Sequence, residues 1–197
     1  NNKKFPFREV IKNIEKHEVL KFDNIELLDI LKNACKNTIT PVNNVGFVGR
    51  PNEFGNIVAN LFAVECKNLK LNYQKPKDSK GKYKESGYPD GLIKFDNKYF
   101  YMELKTCEEK QQNQTFRTFF YSPSTNSKII YDASHLLICF LTKKNSGILQ
   151  LNGNYHIVDM YEKEVKLKLE YNSNNKELYG GRLLWFNSIH KNKILTL

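Results

Sequence analysis

Residues 88–106 read YPDGLIKFDNKYFYMELKT, and the alternation inside this stretch decides the fold. The runs 91–95 and 98–106 carry strand-forming apolar and aromatic residues, and Asp96-Asn97 between them tolerate the left-handed backbone that a tight hairpin turn requires. With those two as the loop residues, Phe95 faces Lys98. Counting back along both strands sets Asp90 opposite Glu103. Side chains alternate with a period of two, so Glu103 and Lys105 share one face while Phe100, Met102 and Leu104 share the other. The sequence therefore predicts one face given to the core and one bearing a charged cluster.

Two carboxylates about 5 Å apart repel, which destabilises a bare sheet, so Asp90 opposite Glu103 makes physical sense when a cation lies between them. Oxygen donors without His or Cys favour a hard ion such as Mg²⁺, which keeps waters and takes further ligands from a phosphate. Lys105 beside that ion is placed to orient or help deprotonate a bound water and to balance charge on a pentacovalent phosphorane. The reaction that fits is phosphodiester hydrolysis. An isolated Glu-x-Lys is more often an ordinary ion pair along an exposed strand, and the pair alone does not separate these readings.

Working outward, the near-continuous apolar run at 134–142 suits a strand inside a sheet, and a further strand is expected near 154–160. Upstream, Phe7, Val10, Ile11 and Ile14 recur at helical spacing after Pro6. A second helix is expected from about Asn24, with Ile25, Leu28, Leu31 and Cys35 on one stripe. After a loop at 38–49, Pro51 opens a third helix that buries Phe54, Ile57, Val58, Leu61 and Phe62. The Lys-rich stretch 67–84 reads as an exposed loop, either laid along phosphates or merely solvated. The expectation is α/β: one domain over 1–197, a mixed sheet flanked by helices, with 1–70 mainly helical cover and 86–160 the catalytic sheet.

The chain has 197 residues, and 31 Lys and Arg against 21 Asp and Glu give a formal charge of +10, the footprint of a polyanion binder. The same abundance of Lys and Asn also arises from an AT-rich genome. The cysteines at 35, 66, 107 and 139 lack the close spacing of a zinc site and read as reduced thiols, mostly buried. A Cys nucleophile working with His135 is the weaker reading. No apolar run approaches the roughly 18 residues of a membrane span. A soluble cytoplasmic protein of a prokaryotic cell, with no membrane partner and no small-molecule cofactor, is the expectation.

Tyr88-Pro89-Asp90-Gly91, twelve intervening residues after Asp90, and Glu103-Leu104-Lys105 together resemble both halves of the PD-(D/E)xK nuclease motif. The matched stretch is short, about 16 positions. The resemblance implies that Asp90 and Glu103 bind Mg²⁺, that Lys105 assists the attacking water, and that the fold is a mixed sheet flanked by helices. Many members bring another carboxylate from a preceding helix. The stretch Gly49-Arg50-Pro51-Asn52-Glu53 looks like that helix, making Glu53 the candidate, although a favourable charge in a first helical turn explains it equally well. A Glu found further along such helices has no counterpart at Ala59 or Asn60, which leaves Glu65 as a substitute.

Thr115–Ser124 and Asp132-Ala133-Ser134-His135 look like the continuation in some type II restriction endonucleases. Arg117 there could clamp a phosphate or read guanine, with Lys75, Lys77, Lys80, Lys82 and Lys84 as further DNA contacts. His135 reads as a structural or DNA-contacting residue. The implied function is a homodimeric, Mg²⁺-dependent type II restriction endonuclease acting on double-stranded DNA. A repair or recombination nuclease of the same fold, a non-catalytic DNA-binding module and an RNA-directed enzyme are the alternatives.

Overall fold

A computed structural model of the chain describes residues 4–84, 87–108, 120–121, 126–167, 186–188 and 191–193. In chain order the elements that build the domain are β1 (Phe5–Pro6), α1 (Phe7–Glu15), β2 (Val19–Leu20), α2 (Ile25–Asn44), α3 (Pro51–Asn68), β3 (Asn72–Gln74), β4 (Gly91–Phe95), β5 (Lys98–Glu108), β6 (Phe120–Tyr121), β7 (Ala133–Asn145), β8 (Ile148–Asp159) and β9 (Glu164–Leu167). The main sheet runs β2-β7-β5-β4-β3, with β8 also on β7. It is mixed: β5 pairs β7 in parallel, while β3/β4, β4/β5 and β7/β8 are antiparallel. A small sheet, β1-β9-β6, lies beside it.

The central hairpin has the register that the turn dictates. Asp96 and Asn97 take φ of 47° and 58°, Phe95 pairs Lys98, and the ladder continues to Gly91 opposite Met102. Both sheet faces carry cores, which corrects the expectation of one apolar and one charged face. Phe100, Met102 and Leu104 of β5 pack with Leu31, Phe54, Val58 and Phe62 from α2 and α3. On the opposite face Tyr101 and Leu92 pack with Phe7, Val10 and Ile11 of α1. The charged residues are confined to the end of β5 beyond the α1 core.

Three expectations are displaced by tertiary contacts. Helix α2 does not stop at residue 37 but continues through Pro41 to Asn44. The carbonyl that Pro41 leaves without its i+4 partner is that of Asn37, an exposed residue where water can satisfy it. Thr38 Oγ1 bonds Ala34 O, and Val42 is buried. Helical propensity loses to packing here. The buried stripe of α2 is also rotated, to Leu27, Leu31, Ala34, Cys35, Thr38 and Val42, leaving Ile25 76% exposed. In α3 the fully buried positions are Phe54, Val58, Phe62 and Cys66.

The stretch 67–84 is not a plain loop. Tyr73 lies in β3, paired with Ile93, and is buried. A turn follows, built on Asp78, whose Oδ1 accepts from Lys80 N and Lys82 N at 2.9 Å each. The strands β7 and β8 run on to a tight connection at Ser146-Gly147, both with positive φ, so the expected break between 142 and 154 is filled by a hairpin. No helix among the described residues is long and apolar enough to cross a membrane.

Where α2 ends, Asn43 fixes it to the outer edge of β8. Asn43 Nδ2 donates to Leu151 O at 3.1 Å and its Oδ1 accepts from Leu151 N at 2.8 Å; Phe47 O accepts from Leu149 N at 2.9 Å. Asn43→Ala leaves both Leu151 groups without this partner, so stability should fall by about 1–3 kcal/mol. Urea denaturation of the variant checks this, and an unchanged midpoint would show that the seam contributes nothing.

Candidate active site

β4 begins at Gly91, opposite Met102, so among the described residues no strand pairs with the β4 side of β5 from Glu103 onward. Asp90 closes the first step of that edge. Its backbone N–H donates to Met102 O at 3.0 Å and its Oδ2 accepts from Leu104 N at 2.8 Å. A side-chain carboxylate thus substitutes for the next residue of a ladder. A β-carbon at Gly91 would collide with the Tyr73 ring and hydroxyl, so glycine after Asp90 is what lets Tyr73 close over the hairpin.

Extrapolated one step, the register sets Asp90 opposite Glu103. Glu103 is only 5% exposed. One of its oxygens pairs with Lys105 Nζ, and the other, Oε2, is a buried atom with no hydrogen-bond partner. Burial, then the facing Asp90 charge, push the Glu103 carboxyl from 4.5 up to about 7, against the pull of Lys105 and Lys128. Burial disfavours the Lys105 ammonium, but the charge and hydrogen bond of Glu103 and the charge of Asp90 outweigh it and raise its pKa. The Lys105 side chain is half exposed, with its head at the open edge.

Two cavities meet at Asp90. One, of about 260 Å³, is lined by Asn52, Gly55, Asn56 and Ala59 of α3 and by Leu104, Lys105 and Thr106. The other, of about 310 Å³, is lined by Asn56, Ala59, Asn60 and Ala63 of α3 with Tyr73, Lys75, Lys84 and Lys128. Asn52, Asn56 and Asn60 follow one another at intervals of four, so one helical stripe faces the site. That spacing is the signal the sequence offered for these residues.

Glu53, the candidate helix carboxylate, lines neither cavity. Its Oε2 accepts from Arg50 N at 3.3 Å, closing the first turn of α3. Glu65 accepts from Asn68 Nδ2 at 3.2 Å near the other end of the helix. Of the candidate DNA-contacting lysines, Lys75 and Lys84 reach the larger cavity, while Lys77, Lys80 and Lys82 are exposed around the Asp78 turn. Arg117 and the stretch 115–124, apart from the strand at Phe120–Tyr121, lie outside the described residues.

His135 is fully buried. It bonds Tyr88 Oη at 2.7 Å through Nδ1, lies against Phe7 and Tyr101, and is held neutral because burial, then the His17 charge, depress its pKa to about 3. Such a ring packs; it does not shuttle protons at neutral pH. Burial raises the thiols of Cys35 and Cys66, the latter to about 12, which fits core residues. The residue that sequence reasoning missed is Lys128, 4% exposed, whose Nζ donates to Gly87 O at 2.7 Å and Pro89 O at 3.1 Å. It lies in an irregular segment without periodicity, where one Lys among many carries no signal.

The class of this enzyme follows from its relatives: residues 1–182 match the family model described as Type II restriction enzyme MjaV family. The protein is a type II restriction endonuclease, and DNA is its substrate. It belongs to the MjaV family, and it is 34% identical over 185 residues, covering 85% of this chain and 79% of the relative, to the type II restriction enzyme MjaV of Methanocaldococcus jannaschii. No solved structure matches the chain.

A carboxyl whose folded pKa is raised adds stability that is complete below its unfolded value and is lost as pH rises through the folded value. In chelator, Glu103→Gln should therefore match wild type near pH 4 and become the more stable protein between pH 4.5 and about 7. The gap should level off above that, on the order of 3 kcal/mol. Thermal melts across pH check this, and a gap that does not change with pH would contradict the buried, charge-facing carboxylate.

Proposed function

We propose that the chain cleaves DNA as a Mg²⁺-dependent PD-(D/E)xK nuclease, with Asp90 and Glu103 holding the ion and Lys105 serving the attacking water. The observation that carries this reading is the buried, unpartnered Oε2 of Glu103 in a carboxylate set opposite Asp90. Such an atom is costly unless something takes its lone pairs. The donor set is all oxygen, which suits a hard cation. Among the described residues no group of three or more His, Cys, Asp or Glu is gathered as a metal cage, so two carboxylates leave room for water and substrate phosphate as the remaining ligands.

When bound, the ion would polarise the scissile phosphate and lower the pKa of a water. The chain's own groups do the rest. Lys105 keeps its proton because Glu103 and Asp90 hold it charged, so it acts by orienting water through hydrogen bonds and by offsetting charge on the phosphorane. Lys75 and Lys84, at the mouth of the larger cavity, give a phosphate backbone a cationic approach, extended by Lys77, Lys80 and Lys82. The Asn stripe of α3 supplies neutral donors and acceptors on the opposite wall. Glu53 stays with the helix N-terminus that it closes. A duplex target with two strands to cut favours action as a homodimer.

Plasmid cleavage in Mg²⁺ should be abolished by EDTA, and each of Asp90→Ala, Glu103→Ala and Lys105→Ala should lower the rate by about 10²-fold or more. Filter binding of the same variants should retain duplex affinity. Full cleavage by Asp90→Ala would sink the assignment. Independently of turnover, Ca²⁺ or Mg²⁺ should raise the melting temperature of the wild-type protein at pH 8 through mass action on the folded state. Asp90→Ala should lose that shift, and a shift of unchanged size would place the ion elsewhere.

A further inference from the structure

Asp90 is fixed from the β5 side by two bonds, its own N–H to Met102 O and its Oδ2 from Leu104 N. The first of these also orients the Pro89–Asp90 peptide, but neither reaches Gly87 or Tyr88. Gly87, Tyr88 and Pro89 approach from outside the sheet; Tyr88 is tied through its Oη to His135, and Lys128 holds the carbonyls of Gly87 and Pro89. A buried ammonium is expensive when its protons lack acceptors. Burial lowers the pKa of this ammonium on balance, and the charges of Asp90 and Glu103 and two accepting carbonyls work against that loss.

The support beneath Lys128 is itself tied down. Ser127 O accepts from Ser79 N at 2.9 Å, and Asn126 O accepts from Lys84 Nζ at 2.9 Å. Ile130 N donates to Tyr101 Oη at 2.9 Å, and Ile129 is buried in the α1 core. The clamp therefore reaches the Asp90 loop from a segment anchored to β5 and to the Asp78 turn.

We propose that Lys128 is a positioning residue for cleavage: its buried ammonium grips the carbonyls of Gly87 and Pro89 and so holds Asp90 across from Glu103. This rests on Asp90 and Glu103 being the metal-binding pair. Lys128 acts through Asp90 and does not carry the DNA. Its head is committed to backbone carbonyls, whereas Lys75 sits beside it at the cavity wall.

The test compares Lys128→Met and Lys128→Gln with wild type and with Asp90→Ala. In Lys128→Met the Mg²⁺ concentration for half-maximal cleavage should rise about tenfold and kcat should fall by about 10-fold or more, because small misplacement of a reacting group is costly. KM for the duplex and its salt dependence should stay as in wild type. Calorimetric titration of Ca²⁺ into the DNA-free variant should show the same weakening. Lys128→Gln, which keeps a donor but no charge, should lie between the two.

Wild-type metal affinity and kcat in Lys128→Met would overturn the assignment. So would a raised KM with a shallower salt dependence at unchanged metal affinity, which marks a phosphate contact. Failure of both variants to fold, judged by circular dichroism, would overturn it too, making Lys128 a residue of the fold. If Asp90→Ala cleaves normally, the metal-pair reading itself fails. If Asp90→Ala is inactive while Lys128→Met is unimpaired, only the positioning role fails.

Discussion

A buried carboxylate that the hairpin register sets opposite a second, half-buried one is the constraint around which the rest of this domain is arranged. Asp96 and Asn97 accept positive φ, the two-residue turn admits a single register, and that register leaves Asp90 and Glu103 no way to avoid each other. In a low-dielectric setting the Asp90 charge raises the cost of ionising Glu103. Burial first, and then that facing charge, push the Glu103 carboxyl up to about 7. Neighbouring cations relieve part of that cost, and a divalent ion between the carboxylates would relieve the remainder.

The surrounding structure resists the obvious escape, which is to splay the strands apart. β5 is held by β7 from Phe100 opposite Ser134 to Glu108 opposite Thr142. Helices α2 and α3 lock one face through Phe54, Val58 and Phe62, and α1 locks the other through Phe7 and Ile11. Among the described residues the β4 side beyond Gly91 carries no strand, and there the Asp90 carboxylate takes the place of one. Local instability is thereby concentrated at one place beside two cavities, the usual way in which a stable fold carries an unfavourable site. Membership of the MjaV family of type II restriction enzymes gives the protein its substrate, DNA.

Much of this was legible from residues 88–106, since strand period and turn chemistry are local properties. The hairpin, the opposition of Asp90 and Glu103, and Pro51 as the start of α3 follow from short-range rules that tertiary structure had no reason to override. What was hidden depended on distant partners. Pro41 looks like a stop signal until Val42 and Asn43 are seen anchored against β8. Tyr73 looks like part of a Lys-rich loop until β4 offers it an edge. Glu53 and Asn56 both stand on the same helix, and only the rotation of α3 decides that Asn56 faces the cavities while Glu53 closes the helix end. Lys128 is invisible to pattern reading because its role depends on two carbonyls some forty residues earlier.

The central claim, a divalent ion shared by the two opposed carboxylates, is tested most directly by anomalous diffraction from crystals of the protein grown with Mn²⁺ and an uncleavable duplex. The account predicts a peak with carboxylate oxygens of both Asp90 and Glu103 at coordination distance, about 2.1 Å for an ion of this kind. A peak ligated by other side chains, or one touching Asp90 while Glu103 stays protonated and turned away, would contradict it.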